Sequence, residues 1–194
     1  MHRLFVALDL PDYHKDAIAR IQEGLPDVRW TDPDTLHLTL AFLGEIDNAA
    51  RREAIEALGT VHTRPFDLEL AGLGHFPPRG PIRQLWVGVR PAPELDRLQR
   101  RVVRALRDAG LAIEKRKFVP HVTIARLRTP PPEHRLQAYL QRHSLIRLPP
   151  TLVSDFHLFS SWLGNGAPHY EIEASWELVP GVADYVEEPG RGFF

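Results

Sequence analysis

Two stretches decide how this chain is read: HLTLAFLG at residues 37–44 and HVTIARLR at residues 121–128. Both spell His, apolar, Thr, apolar, Ala, any residue, Leu, and they stand 84 residues apart. In an extended strand successive side chains point to opposite faces, so His37 shares a face with Thr39, and His121 shares one with Thr123. Leu38 and Leu40 take the other face of the first copy, and Val122 and Ile124 that of the second. Each copy thus offers an imidazole beside a hydroxyl on a strand whose reverse side suits a core. One copy alone is an ordinary half-buried strand. Two copies in a chain with 10 His read as a duplicated functional element.

Working outward, each motif follows a strand and a helix. HRLFVALDL at the start has strand alternation, and PDYHKDAIARIQEGL after it repeats apolar residues at helical period up to Leu25. VRW at 28–30 and the first motif are separated by the turn-forming TDPDT. A helix over 48–61 fits Asp47 as its N-cap, and FDLELAGLGHF at 66–76 then alternates as one strand. PPRGP breaks the chain before a strand at 83–89, and PELDRLQRRVVRALRDAG keeps an apolar stripe of Leu95, Leu98, Val102, Val103 and Leu106 up to Gly110. The remaining elements are a strand over 117–127, a short helix over 131–143 and strands over 152–163 and 169–179. This order, given twice, predicts two halves related by a pseudo-two-fold axis, with equivalent His strands meeting at a cleft. Sequence identity between the halves is poor outside the motifs, so the duplication rests on the two motifs and the element order. Residues 1–180 are expected to form one bilobal domain with two interleaved lobes, and 181–194, rich in Gly, Pro and acid, a flexible tail.

Composition narrows the class. With 43% hydrophobic and 25% charged residues the chain is of globular type, neither disordered nor fibrous. It has no Cys, which removes disulfides, thiolate metal sites and cysteine nucleophiles together. The apolar run at the N-terminus is broken by Asp9 and Pro11, too short for a signal peptide or a membrane span. A cytoplasmic protein with no membrane partner, and a monomer, is the expectation. The formal net charge of −1 conceals a basic middle: residues 79–128 carry 13 basic and 4 acidic side chains, against 7 and 13 before them and 4 and 8 after them. That block is either a solvated Arg-rich helix face or an electrostatic footprint for an anionic polymer such as RNA.

Two imidazoles at one cleft suit either metal ligation or acid–base chemistry. Ligation needs further donors, and neither a His-Glu-x-x-His spacing nor any Cys supplies them. An acid–base pair needs only one neutral and one protonated ring on opposite sides of a reacting centre, which an ordinary pKa of about 6.5 permits. Thr39 and Thr123 can then donate hydrogen bonds to the non-bridging oxygens of a phosphate held between the rings, stabilising charge that grows in the transition state. The residues point to phosphodiester chemistry without a cofactor, and leave open which His is acid and which is base.

With RLFVALDLP, HLTLAFLGE, RQLWVGV, FVPHVTIARL and the late FHLFSS and HYEI in this order, the chain resembles the 2H phosphoesterase superfamily, and within it the bacterial and archaeal RNA 2′,3′-cyclic phosphodiesterases, also called 2′-5′ RNA ligases. The resemblance covers nearly the whole chain. It implies an α+β fold, bilobal, with two antiparallel sheets facing a central cleft and helices outside. It further implies hydrolysis of RNA 2′,3′-cyclic phosphate ends, or of a cyclic nucleotide, to a 2′-phosphomonoester, with His37 as proton donor, His121 as proton acceptor and Thr39 and Thr123 on the phosphate. Ligation to a 5′-hydroxyl end uses the same residues in reverse, and a binding module that keeps the fold without turnover is the rival from another class.

Other residues carry alternatives. Arg126 follows His121 by five positions, on the opposite face of an ideal strand; a substrate contact requires a bulge between them, and a structural salt bridge is the other reading. Its counterpart in the first motif is Phe42. Phe5, Phe42, Trp162 and Tyr170 are candidates for stacking on a base, though aromatic residues in strands are mostly core. Arg116 and Lys117 lead into the second motif and could attract an RNA backbone. His2, His14, His62, His75, His134, His143, His157 and His169 lack the repeated context and read as surface or core residues.

Overall fold

The computed structural model describes residues 2–115, 117–163 and 168–181. Along the chain run β1 (His2–Asp9), α1 (Asp12–Ala19), β2 (Val28–Trp30), β3 (His37–Ile46), α2 (Asn48–Leu58), β4 (Phe66–Leu68) and β5 (Leu70–Phe76). They are followed by β6 (Gln84–Val89), α3 (Pro93–Asp108), β7 (His121–Leu127), α4 (Glu133–His143), β8 (Thr151–Val153), β9 (Asp155–Leu163) and β10 (Pro168–Glu177). The strands make two antiparallel sheets. The larger has eight strands in the order β10-β9-β1-β3-β7-β6-β5, with β2 also on β7, and the smaller pairs β4 with β8.

The larger sheet consists of two halves, one around β1 and β3 and one around β6 and β7, joined by the single pair Leu38↔Val122. These are equivalent positions of the two motifs, and two antiparallel strands related by a two-fold axis must pair equivalent residues. The smaller sheet obeys the same rule, Asp67 facing Leu152 at the centre of its three pairs. The halves are interleaved: β5 pairs with β6 of the second half, and β9 returns to pair with β1 of the first.

Packing explains which side the site occupies. Leu4, Val6 and Leu8 of β1, Leu38 and Leu40 of β3, Leu85 and Val87 of β6 and Val122 and Ile124 of β7 are buried in one continuous core. The helices lie against that side. Ile18 of α1, Ala54 and Leu58 of α2, Leu95, Leu98, Val102 and Leu106 of α3 and Leu136 and Tyr139 of α4 belong to the same core. Among the described residues the opposite side holds a small buried cluster of Phe5, Ala7 and Phe159, with Tyr170 against it. The side chain of Asp47 caps α2 by accepting from the Ala50 N–H at 2.9 Å. Tyr139 fastens α4 by donating to the carbonyl of Ile21 at 2.8 Å.

Several boundaries differ from the sequence expectation. The run 66–76 is two strands, broken at Glu69, and the run over 152–163 is likewise broken at Ser154. At Glu69 the alternation of faces continues, Leu68 and Leu70 both being buried, whereas at Ser154 it turns over, Val153 and Phe156 both being buried. At both breaks the partner changes, β4 and β8 pairing with each other while β5 and β9 join the large sheet. Strand β7 begins at His121 and not at 117, since Pro120 has no N–H to give a ladder. Helix α1 ends at Ala19, with Ile21 and Gln22 in single turns on Ile18 and Ala19, and α2 ends at Leu58 before Gly59. The 182–194 part of the expected tail lies outside the described residues, as does Arg116.

Candidate active site

His37 opens β3 and His121 opens β7, and both rings are held in the same way. The Nδ1–H of His37 donates to the carbonyl of Thr35 at 2.7 Å, and the Nδ1–H of His121 donates to the carbonyl of Val119 at 2.7 Å. A carbonyl can only accept, so in each ring Nδ1 carries a proton and Nε2 is the nitrogen that can gain or lose one. The geometry fixes the tautomer twice, with one device.

The antiparallel register around Leu38↔Val122 places His37 level with Thr123 and His121 level with Thr39, on one side of the sheet. Both motifs then bulge at the same place. Against β1, Ala41 pairs with Val6 but Thr39 pairs with Ala7; against β6, Ala125 pairs with Leu85 but Thr123 pairs with Trp86. The extra residue turns the alternation over, so that Leu40 with Ala41, and Ile124 with Ala125, are buried in succession. A buried Ala at that point is what lets two consecutive residues face the core. Beyond the bulge, Phe42 and Arg126 emerge on the side of the two His, both exposed. The bulge on which a substrate contact by Arg126 depended is therefore present.

The two halves present different surroundings. His37 is walled by rings: Phe5 at 4.7 Å between centroids, Tyr170 edge-on at 5.3 Å and Phe159 at 6.3 Å. Phe5 also stacks on Phe159 and is 4% exposed, so it supports the other rings and has little face left for a base. Phe42, 46% exposed, and the half-buried Tyr170 do present surface. Trp162 falls on the opposite side of β9 from Phe159 and stacks on His169, away from the site. Lys117 is exposed. His121 has Phe76 edge-on at 5.0 Å and Trp86 at 6.0 Å, and Gln84 stands where the first half has Phe5. The Gln84 amide donates to Thr123 Oγ1 at 2.5 Å and to His121 Nε2 at 3.3 Å. A Thr oxygen that already accepts this bond has its own O–H to give.

Charge at the site is also uneven. Burial among the rings lowers the His37 pKa from its ordinary value; the bond to Thr35 and the Asp9 carboxylate raise it, and His121 and Arg126 lower it further. Asp9 pairs with His37 across β1 and β3 and holds Lys15 at 2.9 Å. The Tyr170 hydroxyl is raised by burial and drawn back by Arg126, Arg3 and Arg29. Asp9, Gln84, Arg3 and Arg29 escaped the sequence reading because none belongs to a repeated motif. Each enters by pairing with a strand distant in sequence, which no local pattern reports. Of the other His residues, His14 is buried on a carbonyl of Pro149, and His157 contacts Ser175 and Asp155.

A family model described as the 2′-5′ RNA ligase superfamily matches residues 9–161. This chain belongs to the 2′-5′ RNA ligase superfamily. Within it, the chain is 33% identical over 172 residues to an RNA 2′,3′-cyclic phosphodiesterase of Archaeoglobus fulgidus, covering 87% of this chain and 96% of that one. It is 27% identical over 176 residues to one of Methanocaldococcus jannaschii, covering 90% and 99%. Among solved structures, E. coli LigT complexed with 3′-AMP superposes with a TM-score of 0.73 at 27% identity, over 91% of this chain and 98% of that one. Protein TT0787 of Thermus thermophilus gives 0.76 at 25% identity, over 92% and 98%. This chain shares its α+β, two-sheet fold with these two solved structures.

Proposed function

We propose that this protein is an RNA 2′,3′-cyclic phosphodiesterase that opens the cyclic phosphate to a 2′-phosphomonoester by acid–base catalysis between His37 and His121. The observation that carries the proposal is the paired tautomer lock: two strands related by the pseudo-axis each present an imidazole with Nδ1 committed to a carbonyl and Nε2 facing the reaction. The names of its relatives support the substrate class.

In the reaction, His121 Nε2 takes a proton from water as the water oxygen bonds to phosphorus. The bond from phosphorus to O3′ breaks, and His37 Nε2–H gives its proton to O3′, leaving the phosphate on O2′. Water is added overall, and solvent returns both rings to their starting states. Gln84 suits His121 to the role of base, because an amide N–H directed at Nε2 favours the ring that keeps its lone pair there. Thr39 and Thr123 donate to the non-bridging oxygens as charge develops on them. Arg126 adds positive charge on the same side, and Phe42 and Tyr170 offer stacking surface to the terminal base. Ligation in the reverse sense replaces water by a 5′-hydroxyl, and water in excess favours hydrolysis.

The test is hydrolysis of a short RNA ending in a 2′,3′-cyclic phosphate, in EDTA, with the product isomer identified. A 2′-phosphate is expected, and replacing His37 or His121 by Ala should lower kcat by about 10²–10⁴-fold. Loss of wild-type activity on chelation, a 3′-phosphate product, or an Ala variant at near wild-type rate would each defeat the proposal.

A further inference from the structure

Three arginines from three strands gather beside the aromatic wall, beyond the two imidazoles. Arg126 emerges there because of the bulge in β7. Arg29 of β2 stands directly across from Arg126 in the β2–β7 ladder, and both are exposed. Like charges at directly opposed positions cost a sheet stability, so this register concentrates positive charge at one point of the face. Arg3 of β1 lies two residues before Phe5 and on its side of the strand. It begins a row, Arg3, Ser161, Tyr170, that crosses β1, β9 and β10. Ser161 is small, so the Arg3 guanidinium and the Tyr170 phenol flank it with little between them. Glu45 stands opposite Arg3 on β3 and supplies one countercharge at this edge. The Tyr170 hydroxyl feels all three guanidinium groups, which ties them to one locality.

We propose that Arg3, Arg29 and Arg126 form a second anion subsite, which takes the 5′-phosphate of the nucleotide whose cyclic phosphate lies between His37 and His121. This rests on the function proposed above for the two His residues. Arg126 is three residues beyond Thr123, or about 10 Å along a strand. The Tyr170 hydroxyl lies close enough to feel the Arg126 charge, and Phe42 and Tyr170 both border Phe5 of the aromatic wall. A nucleoside placed there puts its base on aromatic surface and its 5′ side toward the guanidinium groups, whose planar forks suit phosphate oxygens. Such a subsite prefers an RNA end, where the terminal nucleotide always carries a 5′-phosphodiester, to a cyclic nucleoside phosphate without one.

The experiment compares the affinities of adenosine 2′-monophosphate and adenosine 2′,5′-bisphosphate by titration calorimetry. The wild-type protein should bind the bisphosphate about tenfold more tightly or better, the worth of one or more charge-assisted bonds. Arg29→Met and Arg3→Met should each bring the ratio toward one, with Lys at either position restoring part of it. Arg104→Met, on the exposed face of α3, should leave the ratio unchanged. Equal affinities in the wild type, or a full bisphosphate advantage in both Met variants, would overturn the subsite. Failure of the functional proposal is distinct: the wild type would then hydrolyse no cyclic phosphate, whatever its preference between the two product analogues.

Discussion

Burial is the largest influence on the His37 imidazole and lowers its pKa from the ordinary value, the Thr35 carbonyl and Asp9 only partly opposing it, so the free protein favours the neutral ring. A proton donor must start protonated, and the substrate resolves the conflict: a phosphate anion beside Nε2 stabilises the imidazolium and raises its pKa on binding. The pH profiles carry this signature. The ionisation of His37 that enters kcat/KM belongs to the free enzyme and should lie below pH 6.5, the ordinary value. In the complex with a phosphate product it should lie higher. NMR titration of the His37 ring from about pH 5 to 8, with and without adenosine 2′-monophosphate, separates the two, and a free-enzyme value at or above 6.5 that the ligand leaves unmoved would count against His37 as the acid. The identical motif residues could not reveal this asymmetry. It comes from what faces each ring: Phe5 and Asp9 for His37, Gln84 for His121. Those neighbours sit on strands paired from 28 to 37 residues away in sequence, as Asp9 is with His37 and Gln84 with His121.

At the level of elements, the bulge is the device on which the site face depends. The repeated Ala of the motifs was visible in the sequence as part of a pattern, but its purpose was not, because strict alternation put Phe42 and Arg126 on the core side. Ala125 is fully buried and Ala41 nearly so, each following another buried residue in its strand. A larger side chain has no room at Ala125, and Ala125→Val is expected to cost about 1–3 kcal/mol of stability through overpacking. Urea unfolding measures it, and an unchanged midpoint would mean that the bulge is not closely packed. The broken strands at Glu69 and Ser154 teach the complementary lesson. Both runs were read correctly as extended, yet a local pattern says nothing of partners, so the exchange of β4 and β8 into a separate sheet was hidden, as was the turn-over of faces at Ser154. Helices were more legible, because α3 declares its buried stripe in its own residues, with only Val103 of the expected set left partly exposed.

For the whole molecule the question is whether two halves joined by one backbone pair behave as one folding unit. A chain of 194 residues is long enough for halves to unfold separately. Three features argue that they do not. The core is continuous, running from Leu4 and Leu38 of the first half through Val122 and Leu85 of the second. The interleaving exchanges strands, so β5 has no partner in the large sheet without β6, and β1 loses β9 without the last third of the chain. The second sheet repeats the tie across the axis with β4 and β8. Breaking either half therefore exposes strand edges and core surface of the other, which is the condition for cooperative unfolding. Trp86 reports the second half, next to His121, and Trp176, stacked on Phe156, reports the first. Variants keeping only one of these tryptophans should give urea transitions that coincide with each other and with the loss of far-UV dichroism. Two separated midpoints would show that each lobe stands alone, and that the site is assembled by docking two folded halves.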